Sequence, residues 1–550
     1  MKKHIIIITF LFSLLLLYCQ TPEWLWASRA GGTGFERCNS IASDNSGNSY
    51  ITGYFEGTAD FGATTLISNG GNDIFIAKID NNGNWLWAKR AGGSGTSDDY
   101  GNGIAHDNNG NIYVTGTFSG IADFGTISLT SNLNSLDIYV AKLDTNGNWL
   151  WVVSAGGTSS DTGVNISLDN YGNKYITGGF SGIADFGTTS ITSNGGSNIY
   201  IAKLDINGNW LWAKRAGGTV GISSSGISYD NIGNCIICGY FSGIGDFGTI
   251  SLTSTGSFDI FVAKLDANGN WLWAINAGGS EYDVANGVCT DATGKSYITG
   301  YFNSVASFSN ISLTSRGDKD IFIAKLDTNG YWLWAKRAGG TSIDEGHRIC
   351  IDSSGNSYVT GRFTSYADFG SVYIPGLSYA NIFITKIESD GSWQWVTSAG
   401  GIDITIGYSI SLDPNENVLV TGIFYDTTDF GNTSITSSGF ADIYVAKLSQ
   451  NGVGIDDDTT PAISILSKLY DAYPNPFKYG DISTIKTDIG KNETGTLSIF
   501  NIRGQCIQNY NLNSGTHEMS FESDGLASGI YFYRLKTQTL NSVKKLILLK

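Results

Sequence analysis

The chain has four histidines, the side chains whose ordinary pKa best suits proton transfer near neutral pH. His4 lies in an apolar leader and His517 near the C-terminus, which leaves His106 and His347 in the main body of the chain. A general acid or base needs a partner group within reach, and a lone histidine is a weak signal of catalysis. We therefore predict no catalytic residue. His347, which lies where a loop enters a predicted inner strand, is kept as a ligand-binding candidate.

A second group with chemical potential is a set of carboxylates that recurs at one position of an internal repeat. Its members are Glu36, Asp99, Asp161, Asp283 and Asp344. Ile222 and Thr405 occupy the same position in the two remaining repeats. If the loops that carry these residues meet at one end of a channel, the carboxylates could attract a cation or a cationic ligand. The alternative is that each one accepts backbone N–H bonds in its own turn.

One loop departs from the repeat. The connection Ser94–Tyr100 is two residues longer than the matching connection of the other six repeats. It brings two carboxylates and an aromatic ring, Asp98, Asp99 and Tyr100, to the predicted mouth of the channel. Because binding residues accumulate in loops that a rigid scaffold presents, we predict that these three contribute to a ligand site. Neutral drift of the loop length is the alternative.

Other short motifs are explained by the repeat itself. An A-D-F-G stretch recurs in six repeats and is interpreted as structural. The D-x-x-G-N turns share residues with calcium loops but lack the final glutamate of an EF-hand. Cys235 and Cys238 lie on a predicted strand, where side chains three residues apart point to opposite faces. We therefore predict no metal site and no cofactor.

Composition narrows the function classes. The 550 residues carry a formal net charge of −16, which disfavours binding to nucleic acid or to anionic lipid headgroups. Glycine accounts for 72 residues, a share suited to many short strands joined by tight turns. The expected fold is all-β.

The N-terminus predicts export. Residues 1–19 combine a basic start with an apolar run that is too short to span a bilayer comfortably, as in a secretory signal peptide. We expect cleavage after Cys19 and no transmembrane segment afterwards; lipidation of Cys19 is the alternative. The remaining cysteines have no regular spacing that would indicate a disulfide framework.

The elements that would position the candidate residues come from seven repeats. The motif W-x-W begins at Trp24, Trp85, Trp149, Trp210, Trp271, Trp332 and Trp393, in steps of 61 to 64 residues. Each repeat alternates apolar and polar residues between D-x-x-G-N and D-x-N-G-N turns, which predicts an antiparallel sheet of four or five strands. Such a sheet is apolar on both faces and must stack on its neighbours, in a ring or in an open solenoid.

The chain ends favour a ring. The last repeat stops near Gly454, where its outer strand should begin, while the first starts with W-L-W and lacks the strand that should precede it. Exchange of the N-terminal strand would complete one blade and leave no open edge. We predict a seven-bladed β-propeller over 20–454, closed by this exchange. Through F-I-A-K-L-D-x-N-G-N, A-G-G and D-x-x-G-N-x-Y-V-T-G, residues 21–454 resemble the secreted bacterial β-propeller repeat family.

A different pattern follows a short acidic linker, predicted over 455–471. Residues 472–550 contain four spaced blocks, among them A-Y-P-N-P-F, L-A-S-G-I-Y and the terminal K-K-L-I-L-L-K. Alternating strands and glycine turns predict a small Ig-like β-sandwich. The blocks resemble the type IX secretion C-terminal sorting domain; an adhesive Ig-like module is the alternative. The resemblance implies the type IX secretion machinery as a partner and a location that is secreted or on the outer cell surface.

Two function classes then compete. A binding, adhesion or scaffold protein for an extracellular glycan or protein fits the near-regular repeats and the lack of a reactive cluster. An extracellular propeller-type glycan hydrolase or lyase would need two convergent carboxylates where the repeat is broken. We predict the binding protein, with the enzyme as the alternative.

Overall fold

In the computed structural model the described part of the chain is all-β, as predicted, with most of its residues in strands. The structure describes residues 22–94, 98–218, 220–376, 379–450, 467–470, 472, 474–489, 493–523, 525–538 and 540–550. The predicted signal peptide and most of the predicted linker lie outside these ranges. Within them, the helical segment is the short 3-10 turn Asn132–Asn134. No helix in the described ranges is long and apolar enough to cross a membrane.

The chain divides into two compact units, Met1–Val453 and Gly454–Lys550. The first contains seven antiparallel sets of four strands, which we call sheets 1 to 7 by the chain order of their innermost strands; in five of them a two-stranded hairpin from the next repeat extends the pairing to six strands. The innermost strands are Glu36–Ser43, Tyr100–His106, Thr162–Leu168, Gly221–Tyr229, Asp283–Thr290, Glu345–Ile351 and Thr405–Leu412. The second strands are Ser49–Phe55, Ile112–Ser119, Lys174–Phe180, Cys235–Ser242, Ser296–Phe308, Ser357–Phe363 and Val418–Phe424.

The outer half of each sheet repeats in the same way. The third strands are Asp73–Ile79, Leu136–Leu143, Asn198–Leu204, Asp259–Leu265, Ile311–Leu326, Asn381–Ile387 and Asp442–Ser449. The outermost strands of sheets 1 to 6 are Trp85–Gly93, Trp149–Ala155, Trp210–Gly218, Trp271–Ala277, Trp332–Gly339 and Trp393–Gly401. Glu23–Gly32 is the outermost strand of sheet 7.

The N-terminal strand therefore completes a sheet whose other strands come from the end of the repeat region. It pairs antiparallel with the third strand of sheet 7, from Glu23 opposite Ser449 to Ala30 opposite Ile443. The innermost strands also contact one another in cyclic order, from sheet 1 through sheet 7 and back to sheet 1. At the junction of sheets 7 and 1, the Ile41 backbone N–H donates to Ser409 Oγ (3.3 Å).

The A-D-F-G stretch forms a hairpin between the second and third strands that reaches the preceding sheet. The hairpins are Thr58–Phe61 with Thr64–Ile67, Ile121–Phe124 with Ile127–Thr130, Ile183–Phe186 with Thr189–Thr192, Ile244–Phe247 with Ile250–Thr253, Tyr366–Phe369 with Val372–Pro375, and Thr427–Phe430 with Thr433–Thr436. In sheet 5 the hairpin is continuous with the second and third strands. The hairpins reach the outermost strand of the preceding sheet: Gly93 of sheet 1, for example, pairs with Ala122 in the hairpin of sheet 2.

The W-x-W motif has a structural role in this arrangement. The first tryptophan of each repeat packs edge-to-face on the phenylalanine of a hairpin, as Trp85 does on Phe61 (5.3 Å between ring centroids). In five repeats the second donates its indole N–H to a turn of the next repeat, as Trp87 does to Thr145 O (3.2 Å). Both rings thus link neighbouring sheets, which leaves them unsuited to stacking on a ligand.

The D-x-x-G-N turns satisfy their own carboxylates. In the first of them, Asp44 Oδ1 accepts the backbone N–H groups of Ser46 and Asn48, each at 2.9 Å, and Asp44 Oδ2 accepts from Asn48 Nδ2. The same bonds recur around Asp107. These are turn-stabilising contacts that use the oxygens a calcium ion would need. In the described part of the chain, no cysteine forms a disulfide.

The second unit contains two sheets around one core. The three-stranded sheet is formed, in spatial order, by Lys468–Leu469, Ile482–Ile489 and Gly515–Glu522. The five-stranded sheet is formed by Phe477–Lys478, Asn541–Leu549, Gly529–Lys536, Gly495–Asn501 and Cys506–Leu512. Ile485 and Phe521 of the first sheet are buried with Leu497, Tyr533 and Leu546 of the second.

Candidate functional site

Each innermost strand carries a β-bulge at the same repeat position. The pairing with the second strand shifts there by one residue, for instance between Cys38 and Ser40 in sheet 1 and between Gly346 and Arg348 in sheet 6. The bulged residues are Asn39, Asn102, Val164, Ser225, Asn286, His347 and Tyr408. All seven line one cavity of about 580 Å³. A bulge re-aims a side chain, and here it turns one residue of each sheet toward this shared space, which we call the channel.

The bulged residues also connect neighbouring sheets. Asn39 Nδ2 donates to Gly101 O (2.9 Å) and Asn102 Nδ2 donates to Gly163 O (2.8 Å). His347 makes the equivalent contact from Nδ1 to Gly407 O (2.8 Å). Because a carbonyl oxygen can only accept, Nδ1 is the donor in this bond. His347 thus links two sheets and also faces the channel, as the sequence predicted.

Charge is concentrated on one side of the channel, around sheet 6. Glu345 lines the cavity and is 7% exposed. Its carboxylate accepts from Lys319 Nζ and from Arg362 Nε, both at 2.8 Å, and His347 Nε2 lies 3.5 Å from Glu345 Oε2. Burial by itself would raise the pKa of Glu345, but the hydrogen bond from His347 and the charges of Arg362 and Lys319 outweigh burial and hold this pKa well below its ordinary value. Glu345 is therefore ionised and paired.

Two arginines of the cavity have no such partner. The guanidinium of Arg37 lies over the Tyr408 ring, 4.0 Å from its centroid, and its Nε donates to Asn39 Oδ1 (2.9 Å). Arg348 Nη1 donates to two main-chain oxygens, Ser225 O (2.9 Å) and Asn286 O (2.8 Å). Among the residues that the structure describes, no carboxylate lies within 4.0 Å of either guanidinium. Burial lowers the pKa of Arg348, as expected for a cation that lacks a counter-ion.

Sheets 2 to 4 contribute only neutral side chains to the channel: Asn102, Thr162, Val164, Ser223 and Ser225. Arg348 of sheet 6 reaches across to Ser225 O, so its guanidinium lies beside this neutral lining. The scaffold repeats seven times, whereas the charged side chains that line the cavity come from sheets 1 and 6 alone. Such a difference between repeats is where a specific site is expected in a symmetric fold.

The structure buries the carboxylates that were predicted at the channel rim. Asp99, Asp161, Asp283 and Asp344 are fully buried and accept backbone N–H bonds. Asp99, for example, accepts from Gly93 N (2.8 Å) and from Ser119 N (2.9 Å). Glu36, the fifth member, is also fully buried. The four aspartates therefore fit the alternative interpretation, in which each carboxylate accepts backbone N–H bonds near its own turn. A ligand-binding role for them stays a prediction.

Each of these five carboxylates faces a second one from a third strand. Both carboxylates of the first pair crowd the α-carbon of Gly92. A side-chain Cβ at this position would lie 2.4 Å from Asp73 Oδ1 and 3.0 Å from Asp99 Oδ2. The pairs are Asp73 with Asp99, Asp137 with Asp161, Asp259 with Asp283, Asp320 with Asp344, and Asp442 with Glu36. Gly92 has a φ of +145°, a conformation that favours glycine and explains the A-G-G motif.

The repeats that lack the acid also lack its partner. Where Ile222 replaces the aspartate, the third strand has Asn198, and where Thr405 replaces it, the third strand has Asn381. Burial, with the neighbouring carboxylate adding to it, raises the pKa of Glu36 to about 8; burial raises that of Asp161 to about 7. In these two repeats the third strand carries an amide, which is neutral and has no proton to lose at high pH. The five carboxylates and their partners are thus a buried part of the scaffold.

The elongated loop is described in part. Gly95–Ser97, which contain the insertion, lie outside the described residues. Asp98 Oδ1 accepts from the backbone N–H (2.9 Å) and the side-chain amide (3.0 Å) of Asn72. Tyr100 is half-buried and packs edge-to-face on Tyr54 (4.8 Å); burial, with Asp98 nearby, raises its pKa to about 12. A ligand-binding role for Asp98 and Tyr100 stays a prediction.

Sequence reasoning missed Arg37, Glu345 and Arg348. Their signal was present, since each differs in charge from the residues at the same position of the other repeats, such as Thr162 for Glu345 and Gly226 for Arg348. No group of three or more potential metal ligands occurs among the described His, Cys, Asp and Glu residues.

Comparison with known families places two parts of the chain. Residues 86–120 and 333–364 match the family described as beta-propeller repeat, and residues 471–549 match the family described as secretion system C-terminal sorting domain. The chain thus carries β-propeller repeats and a type IX secretion sorting domain, and both predictions are confirmed. The sorting domain indicates export to the cell surface or secretion, which confirms the predicted location.

Curated relatives match over part of their length. The chain is 24% identical over 533 residues to an uncharacterized WD repeat-containing protein of Acanthamoeba polyphaga mimivirus, covering 77% of this chain and 38% of the relative. It is 27% identical over 182 residues to the regulatory protein FlaEY of Caulobacter vibrioides, covering 32% of this chain and 18% of the relative. The chain therefore spans well under half of the length of either.

Solved structures with a similar course of the backbone include a fungal alcohol oxidase of the AA5 family in complex with copper, at 11% identity and a TM-score of 0.41. That match covers 96% of this chain and 100% of the oxidase. PorZ, a surface component of the type-IX secretion system of Porphyromonas gingivalis, matches at 10% identity and a TM-score of 0.17, over 95% of this chain and 100% of PorZ. At these TM-scores neither likeness carries an argument about activity, ligand or partner.

Proposed function

We propose that this chain is an exported seven-bladed β-propeller that binds an extracellular ligand in its central channel. The observation that carries the proposal is the cavity of about 580 Å³, lined by one bulged residue from every sheet and by charged side chains from sheets 1 and 6 alone. Its volume lies in the range of about 300–1,000 Å³ that small-molecule sites occupy. The cyclic contacts of the innermost strands and the pairing of Glu23–Gly32 with Asp442–Ser449 support closure of seven blades into one ring.

The proposed domain organisation follows the same evidence. A signal peptide, 1–19, would direct the chain through the inner membrane, and the propeller would extend over 20–454. A linker, 455–471, would connect it to the sorting domain, 472–550, for which the two-sheet core supports an Ig-like sandwich. This last domain would engage the type IX secretion machinery.

Binding is better supported than catalysis because of how the channel acid is paired. Hydrolysis of a glycoside by the common two-carboxyl mechanism needs a second carboxyl group roughly 5–10 Å from the first, with one of the two protonated. Glu345 is the one carboxylate that lines the cavity within the described ranges, and Lys319, Arg362 and His347 keep it ionised. We therefore propose a binding, adhesion or scaffold role, with a glycan hydrolase or lyase as the alternative.

The channel can be tested by filling it. The full exported protein, probed on arrays of glycans and proteins, is expected to bind a ligand that the variant Val164→Phe no longer binds. Val164 lines the neutral side of the cavity, so the larger ring occupies ligand space. Ile183→Phe, a matched change at an exposed hairpin residue, should bind as the unchanged protein does.

Two results would overturn this proposal. Equal binding by Val164→Phe, with its fold intact by circular dichroism, would place the site outside the channel, and an array without any bound ligand would argue against a binding protein. Release of cleaved products from a bound glycan would establish the enzyme alternative instead.

A further inference from the structure

We propose that the channel binds the carboxylate of an acidic oligosaccharide, with Arg37 and Arg348 as the groups that recognise it. This inference rests on the proposed function and specifies the ligand class of the same site. It starts from the charge of the channel. Arg37 and Arg348 line the cavity as two cations, against the single carboxylate of Glu345, which is already paired with Lys319 and Arg362.

That local excess of positive charge contrasts with the rest of the chain, whose formal net charge is −16. Lys319 and Arg362 are already engaged with Glu345. Arg37 and Arg348 are not paired with any carboxylate in the part of the chain that the structure describes. A cationic cleft in an acidic protein focuses its field on anions, and partial burial strengthens that attraction.

The two guanidinium groups are held in place by neutral partners. Arg348 is fixed by two main-chain oxygens, Ser225 O and Asn286 O, and Arg37 by the Tyr408 ring and Asn39 Oδ1. None of these partners removes the positive charge. A guanidinium that keeps its charge and its orientation is suited to bidentate binding of a carboxylate, because its planar donors match the two oxygens.

The chemistry around the cations favours a sugar over a peptide. Tyr301 and Tyr408 line the cavity, but their faces are covered, Tyr301 by Lys319 Nζ (4.1 Å from the ring centroid) and Tyr408 by Arg37 (4.0 Å) and His347 (5.4 Å). A further ring lies at the same end of the innermost strands: Tyr282, which directly precedes Asp283, is 48% exposed. Flat aromatic faces beside hydrogen-bonding side chains suit a ring that is apolar on its faces and polar at its edge.

A peptide would most readily bind by adding a strand to a free sheet edge. The innermost strands do present an edge to the channel, but their main-chain oxygens at the bulge are taken. Gly346 O of sheet 6 accepts from Asn286 Nδ2, and Gly407 O of sheet 7 accepts from His347 Nδ1, both side chains of the neighbouring sheets. Strand addition is thus obstructed where the channel is charged, which leaves a ligand held by side chains.

The test uses the full exported protein and calorimetric titration with oligosaccharides of galacturonate, of mannuronate and guluronate, and of glucuronate. We expect at least one of them to bind, and its methyl ester, which keeps the sugar ring and loses the charge, to bind roughly 10- to 100-fold more weakly. Arg37→Gln should cause a loss of the same size. Arg348→Lys, which keeps the charge and loses the planar fork, should cause a smaller loss, and Lys214→Gln on an outermost strand should cause none.

The outcomes separate this inference from the proposed function. Suppose that Val164→Phe abolishes binding of a ligand. If the methyl ester of that ligand binds the unchanged protein as tightly as the acid, or if Arg37→Gln and Arg348→Lys leave the affinity unchanged, the channel site stands and the anionic ligand class is wrong. Tighter binding of an oligoglutamate peptide than of every uronate would also overturn the sugar assignment, as would no binding of any uronate. Binding that Val164→Phe does not change would contradict both proposals.

Discussion

The propeller is expected to lose stability as the pH rises from 5 to 7.5, because five buried carboxyl pairs then have to give up protons that the fold favours. Burial, with the partner Asp442 adding to it, raises the pKa of Glu36 to about 8, and burial raises those of Asp161, Asp283 and Asp344 to about 7. In the unfolded chain such groups titrate near 4. A raised folded pKa gives stability that is complete below the unfolded pKa and is lost as the pH rises through the folded one.

The acids of the turns do not oppose this trend. For Asp44 and Asp80, hydrogen bonds from their own turns outweigh burial and lower the pKa, so their contribution to stability changes only below about pH 4. Raising the pKa of one fully buried carboxyl from 3.8 to about 7 is equivalent to about 4 kcal/mol at most. Five pairs together should therefore lower the free energy of unfolding by several kcal/mol across this window.

A substitution that the chain already contains elsewhere tests the cause. Asp137→Asn places opposite Asp161 the same residue type that the next repeat has at this position, Asn198. Asp137 forms no ion pair among the described residues, so the change breaks none. We expect a gain of about 1–2 kcal/mol at pH 7.5 and little change at pH 5. Asp123→Asn, at an exposed hairpin acid, is the control. Urea unfolding at constant ionic strength measures both, and a flat or rising stability from pH 5 to 7.5 would refute the paired-acid explanation.

Removal of residues 22–32 from the exported chain is expected to open the ring. The third strand of sheet 7, Asp442–Ser449, would then lose the partner that pairs with it from Ser449 to Ile443 and expose an unpaired edge. We expect aggregation and a large fall in melting temperature. A monomeric fragment of unchanged stability would show that the repeats stack as an open solenoid.

The converse change should strengthen the ring. Glu23 and Ser449 are opposite each other in the register, so cysteines at both positions can form a disulfide that joins the two ends of the propeller. Closing so long a loop stabilises by up to about 4–5 kcal/mol in the chain-entropy account. The gain should disappear on reduction. If the oxidised and reduced forms unfold at the same denaturant concentration, the N-terminal strand is not what holds the ring closed.

The repeat architecture could be predicted because it depends on local patterns that recur seven times. The spacing of W-x-W, the glycine turns and the missing strand at each end were enough to predict that Glu23–Gly32 would complete the last sheet. The position of His347 at the channel was predicted from its place at the start of an inner strand. Each of these inferences needs only the period of a strand and the residues of a turn.

The candidate site was predicted less well, because a shift of one residue reverses the face of a strand. Asp344 is buried, whereas its neighbour Glu345 lines the channel; likewise Glu36 is buried and Arg37 faces the channel. The joint replacement of Asp99 and Asp73 by Ile222 and Asn198 in another repeat was a sequence signal that these acids face each other. The burial that follows from their pairing could not be inferred without the path of the A-G-G backbone.

The most direct test of the central claim, that the charged side of the channel is a ligand site, is a crystal structure of the full exported protein with an oligosaccharide that it binds. Our account predicts electron density for the sugar inside the ring of bulged residues, with its carboxylate at Arg37 or Arg348. Density for the ligand on the outermost strands or the hairpins, with the channel empty, would contradict it.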